Sequence, residues 1–336
     1  MTAKKQISSL SSLRTGLYKT TKTMFFLPSK RLEAQITDVF DGLWGTVTAA
    51  KNLRWQVRGF CEEYEHTKSN IEITQKFVEK KEDSNVRPNL YRVCIQDSWA
   101  DTEYRISRDF LINIFACYEG WVEDILNIMS VSSARKKNNL QYPKDGSHDY
   151  ERLLTSLQTS TSNVVTTAFY DLYKSKNVKY NWDKVNNWLL YYRYFKECRN
   201  SIIHDGGLTN QKVIDAYSAI LTLTKEDLDV KECPITISSN LGEPIQLSLR
   251  GVVGFSQLIL RLVSTFDVEF IKTNKAEDYF IQVMRKECPS PKNFGQSDEV
   301  KMVRKLLGHT YFQLPENVHD LYTYLCEKDI LREIIN

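Results

Sequence analysis

The chain has 336 residues, of which 42% are hydrophobic and 26% charged, and its formal net charge is +3. These values are typical of globular proteins and suggest about two domains with ample apolar surface for a core. The charge is too weak to indicate a nucleic-acid binder by itself, so any basic surface must be local. Apolar runs do not reach the roughly 20 residues that cross a bilayer, so no membrane association is predicted.

The cysteines argue against a disulfide scaffold and against a zinc ribbon. There are seven of them, an odd number, and no two are separated by only two residues. We interpret them as free thiols in the reducing cytosol, which predicts a cytoplasmic protein.

The amino-terminal segment is basic and contains no acidic residue up to position 32. Its composition is similar to that of a transit peptide, but a strong amphipathic pattern is missing. We predict that residues 1–30 form a flexible basic arm, which either contacts RNA phosphates or is a solvated tail.

Apolar residues recur at helical spacing through most of the remaining chain, which predicts a mainly α fold. An N-terminal helical region, 31–95, contains a helix over 32–60 and ends beyond a polar stretch closed by Arg87-Pro88-Asn89. The central region, 96–225, begins with the most apolar helix, 105–129, which carries a single mid-length acid, Glu119. Shorter helices are predicted over 149–157 and 162–173.

The second long helix of the central region is predicted over 182–204 and is stopped by Asp205-Gly206-Gly207. Another helix follows over 210–223. The last region, 226–336, begins with period-two alternation over 235–237 and 245–249, which predicts a small β-hairpin. A helix over 252–271 and further flanking helices complete the chain.

One segment stands apart because it groups residue types that suit phosphate chemistry at the end of a long helix. It reads Glu197-Cys198-Arg199-Asn200-Ser201-Ile202-Ile203-His204-Asp205-Gly206-Gly207. The arginine provides a permanent charge with a fork of donors that matches phosphate oxygens. The histidine can act as acid or base near neutral pH.

An arginine, a following polar residue and a histidine five positions after the arginine resemble the motif of HEPN ribonuclease domains. The resemblance covers residues 99–224 and includes the earlier apolar helix with its lone glutamate. It implies a HEPN-like helical bundle with Arg199, Asn200 and His204 as the catalytic set. It also implies a metal-independent endoribonuclease without a cofactor, of the kind found in toxin–antitoxin pairs and in defence against phage, where an antitoxin or regulatory protein is a possible partner.

Three further residues are expected to support this site. Glu119 is predicted to pair with Arg199 or with Arg193 on the facing helix, because a carboxylate in such an apolar helix is costly unless it is paired. Asp205 lies where the helix ends. A competing interpretation of the residues keeps the pair between Arg199 and an acid such as Glu119 but makes His204 a cap for the carboxyl end of the helix. A competing interpretation of the domain is a non-catalytic HEPN-like module that binds RNA, a nucleotide or a protein.

The spacing of the motif poses a geometric problem. Five helical steps turn His204 about 140° away from Arg199, so the two cannot share one face of a straight helix. Either the helix unwinds at Asp205-Gly206, or a second copy completes the site. The resemblance implies a homodimer through the motif helix. The helix also displays more aromatic surface than one packing face needs, which favours the same dimer, and within it the run 191–194 suggests either base stacking or packing against the core and a partner.

Overall fold

The computed structural model describes residues 23–63, 69–78, 88–131, 140, 149–158, 163–291 and 298–332. Within these residues the protein is mainly helical and contains no named strand, which confirms the predicted helical class. The helices before the motif loop are α1 (Leu27–Glu62), α2 (Asn70–Phe77), α3 (Trp99–Ile128), α4 (Asp149–Leu157), α5 (Asn163–Lys176) and α6 (Val185–His204). Those after it are α7 (Gln211–Ser218), α8 (Leu249–Phe270), α9 (Asn274–Glu287), α10 (Glu299–Thr310) and α11 (Val318–Glu327).

Two short irregular helices join these elements. A π-helical turn, Arg92–Gln96, precedes α3, and a 3₁₀ turn, Trp182–Lys184, leads directly into α6. The start of α3 is fixed by a capping box, in which Ser98 accepts from the backbone N–H of Asp101 while the Asp101 carboxylate accepts from the backbone N–H of Ser98.

The core is centred on α8, which is buried on nearly all sides and packs against α1, α3, α5 and α6. It is the one helix among the described residues that is long and apolar enough to cross a membrane, but 78% of its most apolar stretch is already buried inside the fold. Protein, rather than lipid, covers this surface in the structure.

The boundary predicted near residue 95 does not separate two cores. The first half of α1 contributes Leu32, Ile36 and Leu43 to the main core, together with the helices of the central and carboxyl-terminal regions. Only the far end of α1 leaves it, and there Val57 joins a small satellite cluster with residues of α2 and the π-helical turn.

The prediction of a flexible arm over residues 1–30 is wrong for its last part. Residues 1–22 lie outside the described residues, but Phe25 and Phe26 are fully buried, and Lys30 is buried as well. The backbone N–H groups of Phe25 and Phe26 donate to the carboxylate of Asp267 in α8, over 2.6 and 3.1 Å. Asp267 thus anchors the two residues that lead into α1, whose N-cap residue Phe26 has no capping side chain.

The predicted β-hairpin does not form. Residues 233–240 have no regular secondary structure and form no ladder with 245–249, while the other half turns towards the loop that follows the motif helix. There the backbone N–H of Thr209 donates to Glu243 O over 2.8 Å, and the N–H of Ile245 donates to Gly207 O over 2.9 Å. The turn before the predicted second strand and its first residue therefore bond to backbone groups of the loop after α6. They do not pair with the predicted first strand.

Candidate functional site

The motif helix α6 ends as its glycines predict. The N–H groups of Asp205 and Gly207 both donate to Ser201 O over 2.9 Å, closing the last turn. Gly206 and Gly207 adopt φ values of +67° and +78°, which favour glycine over any residue with a side chain. The Ser201 hydroxyl also donates to Leu208 O, so the loop is tied back onto the helix.

Arg199 lies between α6 and α3, the two long helices that the sequence singles out. Its Nη2 atom is 3.3 Å from Glu119 Oε2, and its guanidinium lies 5.9 Å from the centre of the Phe115 ring. Its Nη1 atom donates to the Asn200 side-chain oxygen over 3.1 Å. The prediction that Glu119 pairs with an arginine of the facing helix is confirmed.

The Arg199 side chain is only 22% exposed, so most of the guanidinium is withdrawn from water. Its Nε atom is buried and has no hydrogen-bond partner among the described residues. The hydroxyl of Tyr192, seven residues and about two turns earlier in α6, is also buried without a hydrogen-bond partner among the described residues. Because Nε is closed off from solvent, the donors that can meet an additional acceptor are the Nη hydrogens that Glu119 and Asn200 do not use.

His204 is the last residue of α6, and it is exposed to solvent. The helix stays regular up to this residue, so unwinding does not bring it round to Arg199. The two side chains leave α6 about 140° apart, which leaves the geometric problem of the motif in place within one chain. Beyond it, Asp205 accepts a hydrogen bond from the Asn210 side chain over 2.8 Å and shapes the loop rather than the arginine site.

Arg193 does not reach Glu119 as its partner. It forms an ion pair of 2.9 Å with Glu197, one turn further along α6, and that carboxylate is almost completely buried. Lys196 lies between Arg193 and Arg199 in the sequence, with its ammonium 5.6 Å from the centre of the Tyr192 ring. Burial lowers the pKa of Lys196, against the raising effect of the Glu119 charge. Three cations of α6 are therefore grouped with two carboxylates, Glu197 of the same helix and Glu119 of α3.

The aromatic residues of α6 are core rather than a base-stacking surface. Tyr191, Tyr192 and Tyr194 are each no more than 3% exposed. The Tyr194 hydroxyl donates to Ile237 O over 3.2 Å, so the 233–240 segment contacts this helix. The aromatic excess of α6 is thus covered by its own chain and gives no support for a dimer.

The structure adds Tyr104 of α3 to the neighbourhood of the motif loop. Its hydroxyl lies 3.8 Å from the position that a Cβ on Gly207 would take, and burial raises its pKa. No local pattern in the sequence signals this residue, because it approaches the loop only through the packing of α3 against α6. The sequence does signal Lys196, because a residue three positions before Arg199 lies on the neighbouring turn of the same helix.

Chemically, the site offers an oriented guanidinium, an amide and an exposed imidazole at the end of one helix. Arg199 and Asn200 offer donors for an oxyanion, whereas the imidazole of His204 leaves α6 on a different side within one chain. In the described part of the chain, no group of three or more His, Cys, Asp and Glu side chains is placed to hold a metal ion.

Comparison with known proteins gives no matching family model, no match among curated proteins and no match among solved structures.

Proposed function

We propose that the chain is a metal-independent endoribonuclease with a HEPN-like site. The observation that carries the proposal is the position of Arg199: a largely buried guanidinium, held by Glu119 and Asn200, on the helix that ends in the exposed His204. Preorganised positive charge of this kind suits the extra negative charge that a phosphate gains during cleavage.

In the proposed reaction the RNA supplies its own nucleophile. The 2′-hydroxyl loses its proton to a base and forms a bond to the adjacent phosphorus, and the bond from phosphorus to the 5′-oxygen breaks as that oxygen takes up a proton. The products are a 2′,3′-cyclic phosphate and a free 5′-hydroxyl. We assign His204 to proton transfer, Arg199 to charge stabilisation and Asn200 to orientation of the phosphate or of the histidine, with Glu119 positioning Arg199.

The biological role proposed with this activity is that of a toxin or an anti-phage abortive-infection effector in the cytoplasm, held in check by an antitoxin or another regulatory protein. It rests on the resemblance of the motif that runs from Arg199 to His204.

One observation favours the alternative, a non-catalytic HEPN-like module that binds RNA, a nucleotide or a protein partner. Glu119 already neutralises Arg199, and an ion pair between two packed helices also serves a structural purpose.

The deciding experiment incubates purified protein with RNA in EDTA. We expect cleavage that leaves 2′,3′-cyclic phosphate ends, and no cleavage of a substrate that is 2′-deoxy at the cut site. Arg199→Ala and His204→Ala should each abolish cleavage at unchanged circular dichroism. Arg152→Ala and His319→Ala remove the same residue types from exposed positions elsewhere, and should cleave normally. Normal cleavage by either motif variant would refute the assignment.

A further inference from the structure

The helix α1 carries two exposed indoles on one side. Trp44 is 49% exposed and Trp55 is 77% exposed. They are eleven residues apart, which places them within about 20° of each other around the helix and about 16 Å apart along it. Within the described part of the chain, neither indole contacts another ring. Two indoles left in solvent on one side of a helix offer two stacking platforms to a ligand long enough to reach both.

Trp44 forms one wall of a cavity of about 480 Å³. The other walls are the segment 230–235 and the first half of α8, with Cys233, Ile235 and Val253 among the apolar lining residues. The volume falls in the range of about 300–1,000 Å³ that is usual for small-molecule sites. An apolar recess of this size beside an exposed indole can take up a flat ring.

The charged residues of the cavity are mostly basic. Lys231, Arg250 and Arg261 line it, against a single acid, Glu232. Arg250 pairs with Glu232 over 3.1 Å, and Arg261 pairs with Asp229 over 2.8 Å. Lys231 is exposed, and among the described residues no carboxylate lies within ion-pair distance of it. With Glu232 and Asp229 counted, these five side chains carry a net charge of +1, and Lys231 is the cation that remains outside an ion pair.

We propose that Trp44, Trp55 and the basic cavity beside Trp44 form a binding surface for single-stranded nucleic acid. The bases stack on the two indoles, and the phosphates pass Lys231 and Arg250. Stacking accepts any base, because every base has a π-face, and basic side chains along the path provide sequence-independent affinity. A peptide partner would also use exposed indoles, and an acidic peptide is therefore the competing ligand in the test below.

This surface uses neither Arg199 nor His204, so its existence does not depend on catalysis. Its test uses a fluorescein-labelled 2′-O-methyl oligouridylate, which lacks the 2′-hydroxyl and cannot be cut by the proposed chemistry. The binding result is therefore independent of whether the chain cleaves RNA.

Fluorescence anisotropy with the full-length protein should show binding that weakens as salt rises. Trp44→Ala and Trp55→Ala should each weaken it by about 5- to 150-fold, the range expected from the loss of one stacked base. Trp44→Phe should retain most of the affinity, since a flat ring remains. Lys231→Gln should reduce the slope of log K against log salt by about 0.7. Val178→Ala, at a position 87% exposed on another part of the surface, is the control and should bind as the wild type does.

Equal binding by the wild type and both tryptophan-to-alanine variants would overturn the proposal, as would failure of the wild type to bind the strand. Binding of a polyglutamate peptide that is lost in the same variants, without strand binding, would assign the surface to a protein partner instead. If Trp44→Ala lowers the melting temperature, the comparison of Trp44→Phe and Trp55→Ala with the wild type decides the question.

Discussion

The guanidinium of Arg199 is held by a carboxylate that is itself part of the helix packing. The ion pair with Glu119 is partly exposed, at 22% for the arginine and 35% for the glutamate side chain. Pairs with this much solvent contact contribute less than about 1 kcal/mol to stability. The stronger consequence of Glu119 is geometric, because it fixes which edge of the guanidinium faces away from α3.

The first prediction separates these two consequences. Glu119→Gln keeps the shape of the side chain but removes its charge, so the free energy of unfolding should fall by less than about 1 kcal/mol. If the proposed ribonuclease activity is present, kcat should fall by about tenfold, because Arg199 is no longer held in place for the phosphate. Single-turnover cleavage and urea unfolding measure the two effects.

The control for this change is Asp124→Asn, which removes one charge from an exposed position on the same helix and should leave both quantities unchanged. A Glu119→Gln protein with full activity would show that the carboxylate does not position Arg199.

Asp267 is the other residue whose surroundings matter, since it is fully buried beneath the start of α1. Burial raises its pKa to about 6, although hydrogen bonds from Ser29, Phe25 and Phe26 and the charge of Lys30 oppose the shift. Burial also lowers the pKa of Lys30 to about 8. Between about pH 4 and pH 6, Asp267 therefore keeps its proton in the folded protein, whereas the same side chain in the unfolded chain has lost it.

The second prediction follows from the sign of this shift. Because the folded pKa lies above the unfolded value of 3.8, the contribution of Asp267 to stability is greatest below pH 4 and falls as the pH rises to about 6. The fall amounts to about 3 kcal/mol at 1.36 kcal/mol per pH unit. Asp267→Asn cannot titrate, so the stability difference between wild type and variant should change by about this amount between pH 3.5 and 6.5.

Urea unfolding at a series of pH values measures that difference. Asp171→Asn, at an exposed position, is the control and should parallel the wild type across the range. A constant difference between wild type and Asp267→Asn would contradict the proposed proton on the buried carboxylate.

At the scale of elements, helices with local signals were predictable and segments with distant partners were not. The helix Asp149–Leu157 has the predicted bounds, and α6 ends at His204 as its glycines indicate. The predicted hairpin failed because residues 242–245 bond to the loop after α6, about 35 positions away, and period-two alternation contains no information on pairing partners. The buried segment at Phe25 was missed for the same reason, since its acceptor, Asp267, is 242 positions distant.

The candidate site divides in the same way. Arg199, Asn200 and His204 are close in sequence and share one helix, so their grouping was readable from the chain. The pairing of Glu119 with Arg199 was predictable because a lone carboxylate in an apolar helix needs a partner. The approach of Tyr104 to the motif loop was not, because it depends on the relative placement of α3 and α6.

The third prediction concerns the contact between the start of α8 and the segment 233–240 that precedes it. A Cβ on Gly251 would lie 2.0 Å from Ile235 O, so even alanine forces the backbone of that segment to move. Gly251→Ala should therefore lower the free energy of unfolding by about 1–3 kcal/mol. Gly308, within α10, has no atom within 4 Å of its would-be Cβ. There alanine should raise stability by about 0.5–1 kcal/mol, because glycine costs entropy in a helix.

Chemical denaturation of both variants measures this contrast. A stabilised or unchanged Gly251→Ala protein would mean that residues 233–240 do not lie against α8 in solution.

At the scale of the whole molecule, the open question is whether one chain contains a complete site. The covered aromatic face of α6 provides no surface for a partner, so the argument for a dimer rests on the phasing of Arg199 and His204 and on what surrounds the histidine. Ile203 is 44% exposed and Leu208 is 46% exposed, on either side of His204 and its loop. Two apolar side chains next to an imidazole can meet their copies across a two-fold axis, since the same patch then faces itself.

The last prediction is therefore a homodimer formed through the end of α6, in which each cleft combines Arg199 of one copy with His204 of the other. Light scattering should give twice the 39.2 kDa of the chain, and Ile203→Glu should reduce the mass to that of a monomer because two carboxylates would be forced together.

Arg199→Ala and His204→Ala proteins, each inactive, should regain part of the cleavage activity when mixed, because the heterodimer keeps one intact arginine–histidine cleft. Mixing Arg199→Ala with a protein that carries both substitutions is the control, and it should restore nothing, since no arginine remains. A fully active monomer at assay concentration would rule out the shared cleft, and His204 would then have to reach the phosphate from its own face of α6.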